Sequence, residues 1–156
     1  MSVNLNTLKL VIELAQRRRD AAGLGVAQAL QSVMQAQAQL EQLMAYAQEG
    51  EARWQTRSRM GVGAVLLQHQ RSFSEKVLHA VSFQNNVIAQ KNDELSAARA
   101  RLAEEEQALA VLEKVAERVR QTQAHAQARR EQKQTDEMAM AMRSFQQRQA
   151  EQEQHP

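Results

Sequence analysis

Few side chains in this sequence are placed to do chemistry. A metal-binding pair of histidines on a helix is spaced four residues apart, and no two histidines here have that spacing. The four histidines are His69, His79, His125 and His155. Glu104, Glu105 and Glu106 form a charge run, which on a helix is usually a solvated face. The chain also has no cysteine, no glycine-rich phosphate loop and no G-x-S-x-G motif. We therefore predict that the protein is not an enzyme and holds no metal ion or cofactor.

A basic triplet, Arg17 to Arg19, is the other cluster that could contact a partner. Three consecutive residues point in three directions on a helix, so a solvated surface is the favoured interpretation and contact with an anionic partner is the alternative. The 20 basic residues of the chain are interspersed with 18 acidic ones, which leaves a net charge of +2. Phosphate binding needs a clustered basic face, so we predict no nucleic-acid partner.

The composition predicts an all-α protein. Apolar residues make up 43% of the chain, but aromatic residues make up only 3%, and there are 5 glycines and 1 proline. Residues that favour strands or turns are therefore few. The absence of cysteine fits a reducing compartment. No stretch approaches the roughly 18 apolar residues that span a bilayer. We therefore expect a cytoplasmic protein that does not insert into a membrane by itself.

Two long heptad series determine where these side chains lie. In each series seam residues recur at alternating steps of three and four, which predicts a coiled coil. The first series is Leu5, Leu8, Ile12, Ala15, Arg19, Ala22, Val26, Ala29, Val33, Ala36, Leu40, Leu43 and Ala47. The second series is Val77, Val81, Gln84, Ile88, Lys91, Leu95, Ala98, Leu102, Glu105, Leu109, Leu112, Ala116 and Val119. Gly61 and Gly63 lie between the two series, so we predict that the chain reverses near Val62.

The two series mesh as an antiparallel pair. When the chain folds back at Val62, Leu5 meets Val119, and in most layers a small residue faces a large one, as dense packing requires. Arg19 falls opposite Glu105, and we expect these two residues to form an ion pair. The predicted fold is a two-helix antiparallel coiled-coil hairpin with helix 2 longer than helix 1.

The predicted elements form a single coiled-coil domain over residues 1–156, with Asn4 as the N-cap of helix 1. The expected bounds are helix 1 over residues 4–58, a turn over 60–64, helix 2 over 65–140 and a frayed tail to 156. Beyond about Arg120, helix 2 has no partner within the chain and its seam positions become polar. That segment is either a solvated helix that fades into a tail or an element held by another protein.

Aromatic residues concentrate near the turn, and two of them, Tyr46 and Phe73, share one side of the predicted hairpin. With Leu40 at heptad position a, Tyr46 and Phe73 both fall at position g, and the g edges of two antiparallel helices flank the same side of the seam. An exposed aromatic and aliphatic face on such a polar protein is a candidate partner site. The alternative is that the two rings only cover the seam. The eight positions of this face are Gln39, Leu43, Tyr46, Gly50, Phe73, Val77, Ala80 and Gln84.

The chain resembles the FliJ family of the flagellar type III export apparatus from Leu5 to Ala141. The resemblance lies in Leu8 through Leu14-Ala15 with Arg19-Asp20-Ala21-Ala22, in Leu112-Glu113-Lys114 with Glu117-Arg118, and in Gln132-Lys133 with Asp136-Glu137-Met138-Ala139. The last group is the most specific, because its polar residues are not ones that the heptad repeat of a generic coiled coil requires.

Resemblance to FliJ implies a soluble, non-enzymatic stalk and adaptor similar to the central stalk coiled coil of rotary ATPases. It implies that the open end of the hairpin enters the ring of the export ATPase FliI and promotes ring assembly and ATP hydrolysis. It also implies that another face contacts the export-gate membrane protein FlhA. The protein is then cytoplasmic and peripherally associated with the inner membrane at the flagellar base.

The resemblance also implies sites, residue by residue. The gate-binding positions of the family fall on Gln39, Leu43, Tyr46, Phe73, Val77 and Ala80. At Gly50 and Gln84 the sequence departs from the aromatic residue and the histidine of the family. The candidates for contact with the ATPase are Arg17, Arg18, Asp20, Gln132, Lys133, Asp136 and Glu137.

Two other functions stay open. One is an escort for export chaperones, which binds them through the surface of helix 2 without stimulating ATP hydrolysis. The other is a coiled-coil spacer that dimerises through its seam. A closed hairpin predicts a monomer when free, whereas a spacer associates in proportion to its concentration.

Overall fold

The computed structural model describes residues 4–154, which form two helices and the turn between them. Helix α1 spans Leu5–Ser58 with 54 residues, and helix α2 spans Ala64–Glu153 with 90 residues. No strand occurs within residues 4–154. The predicted all-α hairpin with a longer second helix is therefore confirmed. His155 and the last residue of the predicted tail lie outside the described residues.

Helix α1 begins with a side-chain cap. The Asn4 side chain accepts a hydrogen bond at Oδ1 from the backbone N–H of Asn6 at 3.0 Å. The Asn4 carbonyl accepts from the N–H of Leu8 at 3.1 Å. An asparagine before the first turn satisfies N–H groups that have no partner inside the helix, as the sequence predicts.

The turn between the helices depends on Gly61, which has a φ of +90°. A residue with a Cβ rarely adopts that conformation, and glycine often ends a helix for this reason. The N–H groups of Met60 and Gly61 donate to the last carbonyls of α1, at 3.1 and 3.3 Å. Helix α2 then begins with a bond from the Leu67 N–H to the Gly63 carbonyl, at 3.1 Å. The chain reverses at the predicted glycines.

Helix α2 continues to Glu153, past residue 140, near which the sequence predicts that fraying begins. No glycine or proline interrupts α2 after Ala64, and alanine, methionine, glutamine and glutamate are strong helix formers. Side chains four residues apart also bond along its surface. Gln127 donates to Glu131, and Gln132 donates to Asp136, both at 3.2 Å. Such pairs each add a few tenths of a kcal/mol, on the order of 0.2–0.5, to a solvated helix.

The described residues divide into two compact units. The terminal unit comprises residues 4–14 and 109–154, and the hairpin unit comprises residues 15–108. In the terminal unit the most buried apolar residues are Leu8, Leu109 and Ala116. In the hairpin unit they are Ala15, Ala22, Val33, Ala36 and Leu95. All eight are predicted seam positions, so the apolar core of each unit is the seam.

The expected ion pair between Arg19 and Glu105 is not formed. The Arg19 guanidinium instead lies 3.0 Å from the carboxylate of its neighbour Asp20, to which both Nε and Nη2 donate hydrogen bonds. Placing two charges in the seam would remove water from both, and that cost exceeds what an ordinary pair returns. The long arginine side chain therefore turns outward and keeps its charged group at the surface.

Among the polar seam residues of the hairpin unit, Gln84 is the one that is buried, whereas Arg19, Lys91 and Glu105 are half-buried. Gln84 is buried, and its Nε2 donates to the Ala36 carbonyl at 2.8 Å and to Gln39 Oε1 at 3.2 Å. No buried side-chain polar atom within the described residues lacks a hydrogen-bond partner. A single satisfied polar residue in a coiled-coil seam specifies the pairing of the two helices at a cost in stability.

We expect Gln84→Leu to raise the unfolding free energy by about 1 kcal/mol, because leucine fills the seam with apolar surface. The Ala36 carbonyl keeps its bond within α1, and the exposed Gln39 turns to water, so no buried group loses its partner. Urea unfolding followed by circular dichroism measures the change. A loss of stability would show that the glutamine bonds contribute more than apolar burial at this position.

Candidate interaction surfaces

The predicted gate face lies in the hairpin unit and is built around two rings. Tyr46 on α1 and Phe73 on α2 meet edge to face, with centroids 5.6 Å apart and an interplanar angle of 64°. Tyr46 is 54% exposed, whereas Phe73 is half-buried. Edge-to-face pairs add about 0.5–1.5 kcal/mol beyond the area they bury. The contact with Phe73 therefore holds the Tyr46 ring in place while more than half of Tyr46 stays exposed to solvent.

Gly50 makes room for the Phe73 ring. A Cβ at position 50 would lie 2.8 Å from Phe73 Cε1 and 3.1 Å from Cζ, closer than carbon atoms pack. In the sequence, Gly50 stands out only as one of the eight positions of the aromatic face and as a departure from the aromatic residue of the family. In the structure the absence of a side chain at Gly50 leaves space for the ring of Phe73 beside α1. This space determines where Phe73 meets Tyr46.

The other positions of the gate face divide into a polar pair and a half-buried aliphatic set. Gln39 is exposed and accepts the hydrogen bond from Gln84, so the polar pair joins the two helices. The half-buried members are Leu43, Val77 and Ala80. The face is thus partly a cover for the seam and partly an exposed surface, and the exposed part is Tyr46 with Gln39.

A groove of about 740 Å³ opens beside the aromatic pair. Tyr46, Gly50 and Phe73 line one part of it, and the remaining lining combines Ala52, Thr56, Leu66 and Gln70 with aromatic or basic side chains. The further lining residues with these properties are Arg53, Trp54, Arg57 and His69. The sequence pattern does not select these four residues, although Trp54 lies one full heptad beyond Ala47 in the first series.

Substitution of two helical glycines by alanine is expected to separate helix propensity from ring packing. Gly23→Ala should stabilise the protein by about 1 kcal/mol, because alanine is the better helix former and nothing lies within 4 Å of the added Cβ. Gly50→Ala should stabilise less, because its Cβ displaces the Phe73 ring. Urea unfolding of the two variants tests this. An equal gain in both would show that the ring moves at no cost.

The candidates for ATPase contact lie in two places. Arg17, Arg18 and Asp20 are exposed residues of the hairpin unit, and Asp20 already accepts the bonds from Arg19. The other four are exposed residues of the terminal unit, where Gln132 donates to Asp136. They are Gln132, Lys133, Asp136 and Glu137. They belong to a longer exposed segment, since every described residue from 120 to 154 is exposed.

Neither a metal centre nor a membrane span is found in the part of the chain that the structure describes. Within residues 4–154 no three histidine or carboxylate side chains are grouped so that they could hold a metal ion. No helix among these residues combines the length and apolar character needed to cross a bilayer.

Comparison with known proteins identifies the family. No curated protein and no solved structure matches the chain. The family model described as Flagellar FliJ protein matches residues 4–154, which is nearly the whole chain. Both helices, including residues 120–153 of α2, lie within the matched residues. The chain therefore belongs to the flagellar FliJ family and is a component of the flagellar export apparatus.

Proposed function

We propose that this chain is a stalk and adaptor, which promotes assembly and ATP hydrolysis of the export ATPase ring and links that ring to the export gate. The observation that carries the proposal is the state of residues 120–153 of α2, which we call the overhang. The overhang is helical throughout, and every one of its residues is exposed. A regular helix that covers no surface of its own chain is available to another protein.

The length and polarity of the overhang suit entry into a ring. At 1.5 Å per residue the overhang extends about 50 Å, which is further than a short surface loop reaches. Its heptad seam positions carry polar residues such as Gln123, Arg130, Lys133 and Glu137. Up to Glu137 this polar stretch stays dispersed when free and forms directional hydrogen bonds with ring subunits when bound. Gln132, Lys133, Asp136 and Glu137 are the residues we propose for those bonds.

The adaptor role rests on the gate face of the hairpin unit. Its exposed aromatic edge, Tyr46 with Phe73, has the character of an interface anchor, because aromatic side chains dominate binding energies. We propose that this face binds the export-gate protein FlhA, with the half-buried Leu43, Val77 and Ala80 as its floor. Binding to a membrane protein would then hold the chain peripherally at the inner membrane without an inserted segment.

The escort function is the second candidate, and one feature of α2 favours it. Four large apolar side chains near the end of the overhang are 62–69% exposed. They are Met138, Met140, Met142 and Phe145. Flexible methionine surfaces adapt to several partners, as binding of different export chaperones requires. An escort of this kind uses the same helix without any effect on ATP hydrolysis.

Measurement of ATP turnover separates these functions. Turnover by purified FliI, with and without this chain, should rise together with the fraction of FliI that sediments as a ring. An escort leaves turnover unchanged and instead co-elutes with an export chaperone from a sizing column. A spacer leaves turnover unchanged and shifts to a dimer as its own concentration rises. Turnover that does not respond to the chain would refute the stalk proposal.

A further inference from the structure

The turn end of the hairpin unit carries basic residues and no acidic ones. Residues 52–74, which we call the tip, are the longest stretch of the sequence without an aspartate or a glutamate. The tip contains four arginines and no lysine, so its charge is +4, whereas the net charge of the whole chain is +2. The four are Arg53, Arg57, Arg59 and Arg71, and all are exposed. None of them belongs to the gate face or to the candidates for ATPase contact.

The arginines also lie nearer to the turn than the carboxylates that flank the tip. Arg59 lies in the turn itself, and at 1.5 Å per residue Arg57 and Arg53 lie about 2 and 8 Å before the end of α1. On the same scale Glu51 is about 10 Å from the end of α1, and Glu75 is about 16 Å from the start of α2. Charges are screened over about 8–10 Å at ordinary ionic strength. A surface that meets the turn therefore interacts more strongly with the arginines than with these carboxylates.

The two arginines closest to the turn are not neutralised by the chain. Within residues 4–154 neither Arg57 nor Arg59 forms an ion pair. Arg53 lies 3.5 Å from the carboxylate of Glu49, but both side chains are exposed. Exposed pairs of this kind contribute little and exchange readily for other partners. The positive charge at the turn is thus available to an anionic partner.

The distribution of the arginines narrows the choice of that partner. Arg53 falls at heptad position g and Arg71 at e, on opposite sides of the seam, and Arg59 lies in the turn between the helices. Glu51 also falls at e, where it offsets part of the charge of Arg71. A protein docked along one side of the hairpin unit would reach only the arginines of that side. A flat anionic surface met end-on reaches the turn and the last residues of both helices together.

Apolar side chains accompany the arginines at this end. Met60 in the turn is 84% exposed, and Val65 in the first turn of α2 is 71% exposed. Each lysine or arginine close to an anionic bilayer strengthens binding about fivefold. Apolar side chains add to this attraction where they reach the boundary between headgroups and acyl chains. A basic end with exposed apolar residues is therefore suited to a membrane surface.

We propose that the tip contacts the headgroups of an anionic lipid bilayer end-on, with Arg57 and Arg59 against lipid phosphates and Met60 at the headgroup boundary. A guanidinium binds a phosphate through two parallel hydrogen bonds. The contact is weak and reversible, because stable attachment to a membrane needs a second signal. The lipid contact is separate from the proposed gate contact, and it turns the closed end of the hairpin unit toward the membrane.

The fluorescence of Trp54 provides the test. Trp54 is the only tryptophan of the chain, and it lies about 6 Å before the end of α1. Vesicles of equal parts phosphatidylglycerol and phosphatidylcholine, with a nitroxide quencher on some of the headgroups, should quench this fluorescence at low salt. Quenching should decrease as salt is added. Vesicles of phosphatidylcholine alone, with the same quencher, should leave the fluorescence unchanged.

Two matched pairs of arginines separate the tip from net charge. Arg57→Gln with Arg59→Gln should raise the lipid concentration that gives half-maximal quenching by about tenfold or more, because two basic residues near the surface are removed. The control is Arg99→Gln with Arg101→Gln, which removes two exposed arginines with the same spacing from α2, away from the turn. It should leave quenching unchanged. Met60→Gln should weaken quenching by a smaller factor, and circular dichroism of every variant verifies that the helices remain.

Three results would overturn the inference. Equal losses in the two arginine pairs would show that lipid binding follows the charge of the whole chain. Co-sedimentation with the vesicles without quenching of Trp54 would assign the lipid contact to another part of the molecule. Absence of vesicle binding would refute the lipid contact outright, and a loss of affinity for FlhA in the Arg57 and Arg59 variant would then assign the tip to an acidic protein surface.

Discussion

Deletion of residues 121–156 is expected to abolish stimulation of FliI and to leave the stability of the remaining hairpin almost unchanged. The described residues of the deleted segment are all exposed, so their removal uncovers no core. Surface changes of this kind usually alter the unfolding free energy by no more than about 0.5 kcal/mol. ATP turnover by FliI and urea unfolding of the shortened chain measure the two expectations.

A second truncation, after residue 146, is the control for the first. It retains Gln132, Lys133, Asp136 and Glu137, and we expect it to stimulate FliI nearly as well as the whole chain. Full stimulation by the chain that ends at residue 120 would refute insertion of the overhang into the ring. Loss of stimulation in both truncations would instead assign the contact to the last residues of α2.

Replacement of the aromatic pair should have the second largest effect. Tyr46→Ala with Phe73→Ala is expected to weaken binding to FlhA by about 2 kcal/mol or more, which is the usual loss for aromatic anchors at an interface. Helicity should be retained, because Tyr46 is more than half exposed and Phe73 lies at the flank of the seam. Titration of immobilised FlhA with the variant measures the affinity, and circular dichroism measures the helix content.

Leu78→Ala is the matched control for the aromatic pair. Leu78 is a large exposed side chain of the same helix, but it falls at heptad position e, on the other side of the seam. This variant should bind FlhA as the unmodified chain does. Equal binding by the aromatic variant would remove the gate face from the proposal, and a large drop in its melting temperature would show that the rings mainly cover the seam.

The periodicity of burial is the part of the fold that can be predicted from sequence. Every residue of the two predicted seam series is buried or half-buried, because a heptad repeat leaves one stripe of a helix to pack. The ends of α1 are also predictable, since Asn4 caps its start and Gly61 adopts a conformation that other residues avoid. These features depend on neighbouring residues and on a repeat, which a sequence displays directly.

Side-chain partners are less predictable. The heptad register places Arg19 across from Glu105, but it fixes only the backbone position, and a long side chain reaches its neighbour Asp20 instead. The fit between Gly50 and Phe73 depends on the rotamer of a ring on the other helix. No pattern along one helix reports that distance.

The extent of α2 is difficult to predict for another reason. Beyond Arg120 no packing decides whether the helix continues, so its length depends on many small contributions from propensity and from side-chain pairs.

The stoichiometry of stimulation tests the stalk proposal most directly. FliI at a fixed concentration, assembled as rings, is titrated with the whole chain while ATP turnover is measured. The proposal predicts that turnover rises and reaches its maximum at one chain per ring, because each ring has a single lumen for one overhang to enter. Turnover that continues to rise until each ATPase subunit has its own chain, or that does not rise at all, would contradict the central claim.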